Sequence, residues 1–102
     1  MGESTVVHVP YTSQLFEEGG QIVAICPELS VSSFGDSLDD ALAALQEALL
    51  LFLEECQRMG TLEAVLQEAG YRRAPETPER WERREPIETG QLEVALAYDY
   101  AG

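Results

Sequence analysis

The side chains in this sequence best suited to nucleophilic or metal chemistry are the thiols of Cys26 and Cys56 and the imidazole of His8. A cysteine becomes a nucleophile or a zinc ligand when a base or further ligands lie close to it. The two cysteines lack the Cys-x-x-Cys spacing, and the only histidine stands in a segment of β-branched residues. Neither a catalytic triad nor a zinc site follows from such scattered residues. We therefore expect two buried apolar thiols in a non-enzymatic protein, with no catalytic residue, no metal and no cofactor.

Paired carboxylates are the other possible source of chemistry, as in general acid and base catalysis. The adjacent Asp39 and Asp40 point about 100° apart on a helix, so they do not converge on one substrate. Glu28 and Asp36 are a second pair, but acidic neighbours are common on a solvated surface. We interpret these acids as surface residues, and His8 as a side chain on the exposed face of a strand, opposite Val7 and Val9.

The composition indicates one acidic domain spanning residues 1–102. The chain has 102 residues, 45% of them apolar, and a formal charge of -13 from 19 acids and 6 basic residues, all arginine. Such a surface repels phosphate and favours basic partners, so direct nucleic-acid binding is disfavoured. The start lacks the basic and apolar regions of a secretory signal, and no apolar run is long enough for a membrane span. We expect a cytoplasmic protein that does not interact with membranes, and its small core makes a homo-oligomer, a dimer or a tetramer, a reasonable expectation.

The elements that must position these residues begin with a β-meander. Residues 5–12 are rich in β-branched side chains, and the two glycines in 17–20 can turn the chain back into a strand at 21–26. Pro27 cannot donate to a ladder and ends or bulges that strand, and the alternation at 29–33 predicts a third strand. The sequence therefore predicts three antiparallel strands.

Two helices and a returning strand complete the prediction. Ser37 followed by Asp40 resembles a capping box, and apolar residues then recur at three-four spacing until Gly60. These apolar residues lie within an arc of about 140° around the helix, which is the predicted buried face. Their positions are 38, 41, 42, 45, 48, 49, 52, 53, 56 and 59. Thr61 and Gly70 bound a short second helix. The alternation in 91–100 predicts a fourth strand of the sheet, so the expected fold is α+β with the order β-β-β-α-α-β.

Residues 71–90 carry three prolines and five of the six arginines, and we expect a connector that is loop or contains one helical turn after Pro78. Glutamates interleave the arginines, so pairing within the chain is favoured over contact with RNA or DNA. Trp81 could anchor the connector or act as an interface hot spot, and the sequence leaves both roles open.

Leu50 and Leu51 are exceptions to the helix pattern, because they fall on its polar half beside Glu47 and Glu54. The second helix, the connector or another copy of the chain should cover them, and we favour self-association. Candidate contacts with a partner or a second copy are therefore Leu50, Leu51, Trp81 and the exposed Glu28.

The segment from Val23 to Glu55 resembles the HicB-like antitoxin family. Its members share a Cys-Pro-Glu-Leu motif, a Gly-Asp-Ser motif a few residues later and an acidic, alanine-containing helix start. The matching residues here are Cys26, Pro27, Glu28, Leu29, Gly35, Asp36, Ser37, Asp40 and Ala41.

The resemblance implies a partly degraded ribonuclease H-like fold without nuclease activity, and a partner of the HicA type, a small basic RNA-cleaving toxin. The acidic charge favours the same kind of partner independently. Two departures stand out. Ser30 and Val31 replace the Pro-Gly that often follows the leucine, which favours a continuous third strand over a tight turn. Only Ala101 and Gly102 follow the last expected strand, so we expect no C-terminal DNA-binding domain and no direct autoregulation.

Overall fold

The computed structural model describes residues 6–84, 90–93 and 95, which form an α+β arrangement with a three-stranded antiparallel sheet, two helices and a small second sheet. The first sheet contains β1 (Gln14–Glu18), β2 (Gln21–Cys26) and β3 (Val31–Gly35) in the order β1-β2-β3. The predicted meander is confirmed at this level.

The first strand lies later in the chain than the predicted 5–12. Gly19 and Gly20 both have positive φ, at 57° and 83°, and form a tight turn between β1 and β2. A two-residue turn fixes the register, so the residues just before the glycines pair with β2, from Glu18 opposite Gln21 to Gln14 opposite Ile25. The earlier segment instead makes one parallel bridge, between His8 and Arg80.

A single 3-10 turn, Pro27–Leu29, separates β2 from β3. Pro27 occupies its first turn, and Ser30 closes it in the left-handed region at φ 56°. The expected continuous third strand is therefore wrong, because the chain forms the tight turn with serine where glycine would carry no steric cost.

The corner between β3 and the long helix α1 (Leu38–Met59) depends on Ser37 and Gly35. The Ser37 side chain accepts a hydrogen bond from the Asp40 backbone N–H at 3.1 Å, which confirms the predicted cap. A Cβ atom on Gly35 would lie 2.6 Å from the Ala41 nitrogen, closer than packing allows. The Gly-Asp-Ser motif thus provides close approach, a turn and a helix cap in three consecutive residues.

The helix packs across the inner face of the three-stranded sheet. Its buried residues are Ala41, Leu45, Leu49 and Cys56, and the first three join Ala24 and Cys26 of β2 in one core. The predicted apolar face is confirmed over its middle, but Leu38 and Met59 at its two ends are exposed. The sheet is shorter than the helix, so the helix ends extend past the core.

Helix α1 ends at Gly60, which has φ 74°, and α2 (Leu62–Glu68) follows. The predicted cap residue Thr61 makes no side-chain cap to α2. Its backbone N–H and its hydroxyl both donate to the Cys56 carbonyl instead, at 2.9 and 3.3 Å. Leu66 is the residue through which α2 enters the core.

The predicted connector is in part a β-hairpin. Strands β4 (Tyr71–Arg73) and β5 (Trp81–Arg83) pair antiparallel as the second sheet. Tyr71 and Trp81 are both buried, and this burial outweighs the loop propensity of the prolines between them. At the predicted helical turn after Pro78 the chain makes a single hydrogen-bonded turn, in which the Arg80 N–H donates to the Thr77 carbonyl at 2.9 Å, and this described stretch has no helix.

The expected fourth strand at 91–100 falls mostly on positions 94 and 96–100, which lie outside the described residues. The described residues 91–93 and 95 are not in a strand. Among the residues that the structure places, no helix has the length and apolar character needed to cross a bilayer.

Candidate functional site

The Glu28 carboxylate is the most enclosed charged group that the sequence singled out. The 3-10 turn directs it inward, and its side chain is 3% exposed. One carboxylate oxygen accepts a hydrogen bond from the Thr12 backbone N–H at 2.5 Å and lies 3.2 Å from Arg83 Nη1. The prediction that Glu28 is an exposed contact residue is therefore wrong, because an arginine of the second sheet covers it.

Four residues form what we call the Glu28 cluster: Thr12, Glu28, Tyr71 and Arg83. Tyr71 donates its hydroxyl to the Pro10 carbonyl at 2.6 Å and lies 3.4 Å from the Glu28 carboxylate. Arg83 donates to the Thr12 hydroxyl at 2.9 Å, and its guanidinium lies 5.7 Å from the centre of the Tyr71 ring. The cluster fastens the β4-β5 hairpin to the residues before β1 and to the turn after β2.

The electrostatics of the cluster keep its groups in their ordinary protonation states. Burial by itself raises the pKa of Glu28, but the backbone amides of Glu28 and Thr12 and the Arg83 charge outweigh it, so the pKa is lowered. Burial raises the pKa of the neighbouring Cys26 thiol and of the Tyr71 hydroxyl, and the Glu28 charge adds to both shifts. Near neutral pH the cluster therefore holds a carboxylate and a phenol, and the neighbouring Cys26 stays a thiol and is not an activated nucleophile.

The remaining chemical candidates do not converge on this cluster. His8 has an exposed side chain, as predicted, and it contributes its backbone to the fold. Its N–H donates to the Glu79 carbonyl at 2.9 Å, and its carbonyl accepts from Trp81 N–H at 2.8 Å. Cys26 and Cys56 are both free and buried, as predicted. Residues 6–84, 90–93 and 95 contain no group of three side chains suited to holding a metal ion.

Comparisons with protein-family models, with characterised proteins and with solved structures give no match. The likeness to HicB-like antitoxins therefore depends on the residues between Val23 and Glu55 themselves. The structure gives several of them architectural roles: Gly35 allows the close approach to α1, Ser37 caps the helix and Ala41 is buried against the sheet.

Three of the five arginines in residues 71–90 are paired within the chain, as the interleaved charges predicted. Arg72 lies 3.5 Å from Glu82 on the neighbouring strand, and Arg83 pairs with Glu28. Arg73 lies 3.5 Å from Glu63 of α2. Glu28 and Glu63 lie outside residues 71–90. The interleaved charges therefore predicted that the arginines pair within the chain, but they did not identify these two partners.

Trp81 is an anchor in the core and offers almost no surface to a partner. It is 2% exposed, and the Arg73 guanidinium lies over its ring at 4.7 Å from the centroid. Of the two roles that the sequence left open, the structure supports the apolar anchor that holds the second sheet against the core.

Leu50 and Leu51 are exposed on α1, at 59% and 60%. Neither α2 nor the described part of residues 71–90 covers them. At 100° per residue, Glu47 and Glu54 project between the two leucines on the outer side of the helix. We call Glu47, Leu50, Leu51 and Glu54 the α1 outer patch, an apolar pair combined with two carboxylates.

An apolar groove of about 210 Å³ adjoins this patch on the Leu50 side. It lies between α1 and the segment before β1, and its lining comprises Val7, Val9, Tyr11, Leu29, Gln46, Leu49, Leu50 and Leu53. Apolar concavities next to exposed leucines are typical of surfaces that receive a side chain from another protein.

A second exposed apolar surface, which the sequence did not reveal, lies on the outer face of the three-stranded sheet. Phe16, Val23 and Phe34 stand directly opposite one another across the strands, with Phe16 51% and Phe34 62% exposed. The strand prediction named residues 5–12 and assigned no role to Phe16. The available signal was the tight Gly19-Gly20 turn, which fixes the pairing of the residues just before it.

Proposed function

We propose that this chain is a non-enzymatic protein-binding module, an antitoxin-like subunit that sequesters a small basic RNA-cleaving toxin of the HicA type. The observation that carries the proposal is the α1 outer patch, which combines exposed leucines with two carboxylates that form no ion pair among the described residues, in a chain of net charge -13. A cationic protein surface with an apolar anchor complements both features of this patch.

The chemistry of the interior supports a binding role over catalysis. The enclosed Glu28 carboxylate is held by a backbone amide and a guanidinium, and the Cys26 thiol beside it has a raised pKa. A carboxylate held by structural hydrogen bonds and a thiol with a raised pKa are poorly suited to act as a general base or a nucleophile near neutral pH.

The alternative function is a solitary structural or regulatory homo-oligomer, without a toxin partner, assembled through Leu50 and Leu51. The carboxylates of Glu47 and Glu54 make self-association through the α1 outer patch unfavourable. In an antiparallel pair of α1 helices centred between the leucines, Glu54 of one copy lies opposite Glu47 of the other, because both are equally far from the centre. Like charges placed opposite each other repel, whereas a basic partner neutralises them.

Native co-purification tests this proposal when it is followed by an RNA-cleavage assay. The full chain is co-expressed with a HicA-type toxin, and the isolated complex is compared with free toxin for cleavage of a structured RNA. We expect a stable complex with suppressed cleavage. Failure of the two proteins to associate, or cleavage undiminished by an excess of this chain, would remove the proposal.

A further inference from the structure

The outer face of the three-stranded sheet differs in charge from the rest of the molecule. Along its central row lie Phe16, Val23 and Phe34, in pairing register across the strands. The flanking rows place Ile25 between Gln14 and Ser32 on one side, and Glu18 opposite Gln21 on the other. Among the described residues of β1, β2 and β3, Glu18 is the one charged side chain on this face, although the chain carries 19 acidic residues.

This charge distribution distinguishes between two possible partners of the face, a second copy of the chain and a basic protein. Two copies of the acidic chain repel each other wherever their carboxylates meet, as they do in a pairing through the α1 outer patch. A basic partner would find only one carboxylate on this sheet face. The outer face of the sheet is therefore an apolar surface on which two copies can meet almost without like-charge contact.

The central row is also self-complementary. Phe16 and Phe34 flank Val23 on neighbouring strands, each roughly 5 Å from the central strand. The row therefore has the same residue type at both ends. A two-fold axis through Val23 places a phenyl ring against a phenyl ring, whether the axis runs along the strands or across them. Sheets packed face to face lie about 10 Å apart, a spacing that side chains of this size fill.

We propose that a second copy of this chain packs on the sheet face formed by Phe16, Val23 and Phe34, giving a two-fold dimer that leaves the α1 outer patch free. Strands of five and six residues span roughly 17 Å by 14 Å in a three-stranded face, so the contact is smaller than that of a standard, stable interface. The dimer should therefore be weak and should dissociate reversibly on dilution. This inference does not depend on the identity of the toxin.

The experiment compares the full chain with two double variants by analytical ultracentrifugation, from low micromolar to near-millimolar concentration. F16T/F34T removes both rings and keeps strand propensity, because threonine favours strands. L50Q/L51Q is the matched control, since it also makes two exposed apolar residues polar and glutamine favours helix. Thermal melts and ¹H–¹⁵N spectra establish that each variant is folded.

We expect the natural chain and L50Q/L51Q to dimerise alike, and F16T/F34T to remain monomeric with at least a tenfold weaker association. Dilution should shift the amide resonances of Phe16, Val23 and Phe34 and leave those of Leu50 and Leu51 in place. A natural chain that is monomeric throughout the range overturns the inference. So does a dimer that survives F16T/F34T, or one that L50Q/L51Q abolishes.

Discussion

Arg83 Nη1 of β5 lies 3.2 Å from Glu28 Oε2, so the β4-β5 hairpin is joined to the turn that follows β2. Residues 55 positions apart in sequence thus form one ion pair, and Thr12 and Tyr71 contribute further polar contacts around it. Glu28, which the sequence predicted to be exposed, therefore links three separate segments of the fold.

Removing either member of this pair should destabilise the protein. We expect Glu28→Gln and Arg83→Met each to lower the free energy of unfolding by about 1–2 kcal/mol, less than for a fully buried pair because Arg83 is partly exposed. The double variant should lose less than the sum of the two. Urea unfolding of all four proteins gives the coupling energy, and strictly additive losses would show that the two side chains do not interact.

The same pair should make stability depend on pH. The folded-state pKa of Glu28 is lowered, so the unfolded chain binds its proton more tightly than the folded chain does. The stabilisation from this group is complete above the unfolded pKa, about 4.3, and is lost as pH falls through the lower folded value. Unfolding followed across this acid range should show the difference between the natural chain and Glu28→Gln shrinking as pH falls. A difference that grows on acidification would contradict the lowered pKa.

The close approach at Gly35 leads to a third prediction. A Cβ atom there would meet the Ala41 nitrogen at 2.6 Å and two atoms of Asp40 at 2.8 Å. These are backbone atoms and a Cβ atom, which cannot move aside as the end of a long side chain can. Gly35→Ala should therefore lower stability by about 1–3 kcal/mol. Gly90→Ala is the control, because no atom lies within 4 Å of its added Cβ, and its Tm should stay unchanged.

Ser30 should be a site of stabilisation. It is the one non-glycine residue with positive φ among those described, and L residues other than glycine pay a steric penalty in that region. Ser30→Gly should raise the free energy of unfolding by about 0.5 kcal/mol once the extra freedom of the unfolded chain is subtracted. Ser32→Gly, two residues later in β3, should lower it by about 0.5–1 kcal/mol. Equal effects at both sites would argue against the left-handed turn.

The thiols should be inert in the folded protein. Cys26 and Cys56 are buried, and burial raises the pKa of Cys26. We expect alkylation by iodoacetamide at mildly alkaline pH to be slow in the native chain and complete in urea, followed by mass spectrometry of each cysteine peptide. Rapid native labelling of Cys26 at a rate typical of an exposed thiol would contradict the structural role assigned to it.

Local signals in the sequence identified much of the fold. The two glycines, the Ser37 cap and the three-four spacing each depend on neighbouring residues, and the hairpin turn, α1 and α2 follow from them. The predicted position of the first strand is wrong because the prediction followed the β-branched residues at 5–12. The register imposed by the glycine turn places the strand at Gln14–Glu18 instead. The hairpin of β4 and β5 was missed because it is stabilised by distant contacts, through buried Tyr71 and Trp81, that no local pattern encodes.

The candidate site was less predictable than the fold. Leu50 and Leu51 broke the helical pattern and could be found from the sequence alone, and they are exposed. Glu28 could not be assigned correctly, since its burial depends on Arg83, which lies far away in sequence. Exposure of Phe16 and Phe34 depends on which sheet face α1 covers, and only the three-dimensional arrangement determines that.

The most direct test of the proposed function titrates a HicA-type toxin with the natural chain and three double variants, measuring residual RNA cleavage at two salt concentrations. L50Q/L51Q removes the apolar part of the α1 outer patch and E47Q/E54Q its charge. L38Q/M59Q is the matched control, because it changes two exposed apolar residues at the ends of the same helix. We expect the natural chain and L38Q/M59Q to suppress cleavage equally, and L50Q/L51Q to require roughly tenfold more protein. E47Q/E54Q should also require more protein and should depend less on salt than the natural chain does. Equal suppression by all four proteins, or none by the natural chain, would contradict the account.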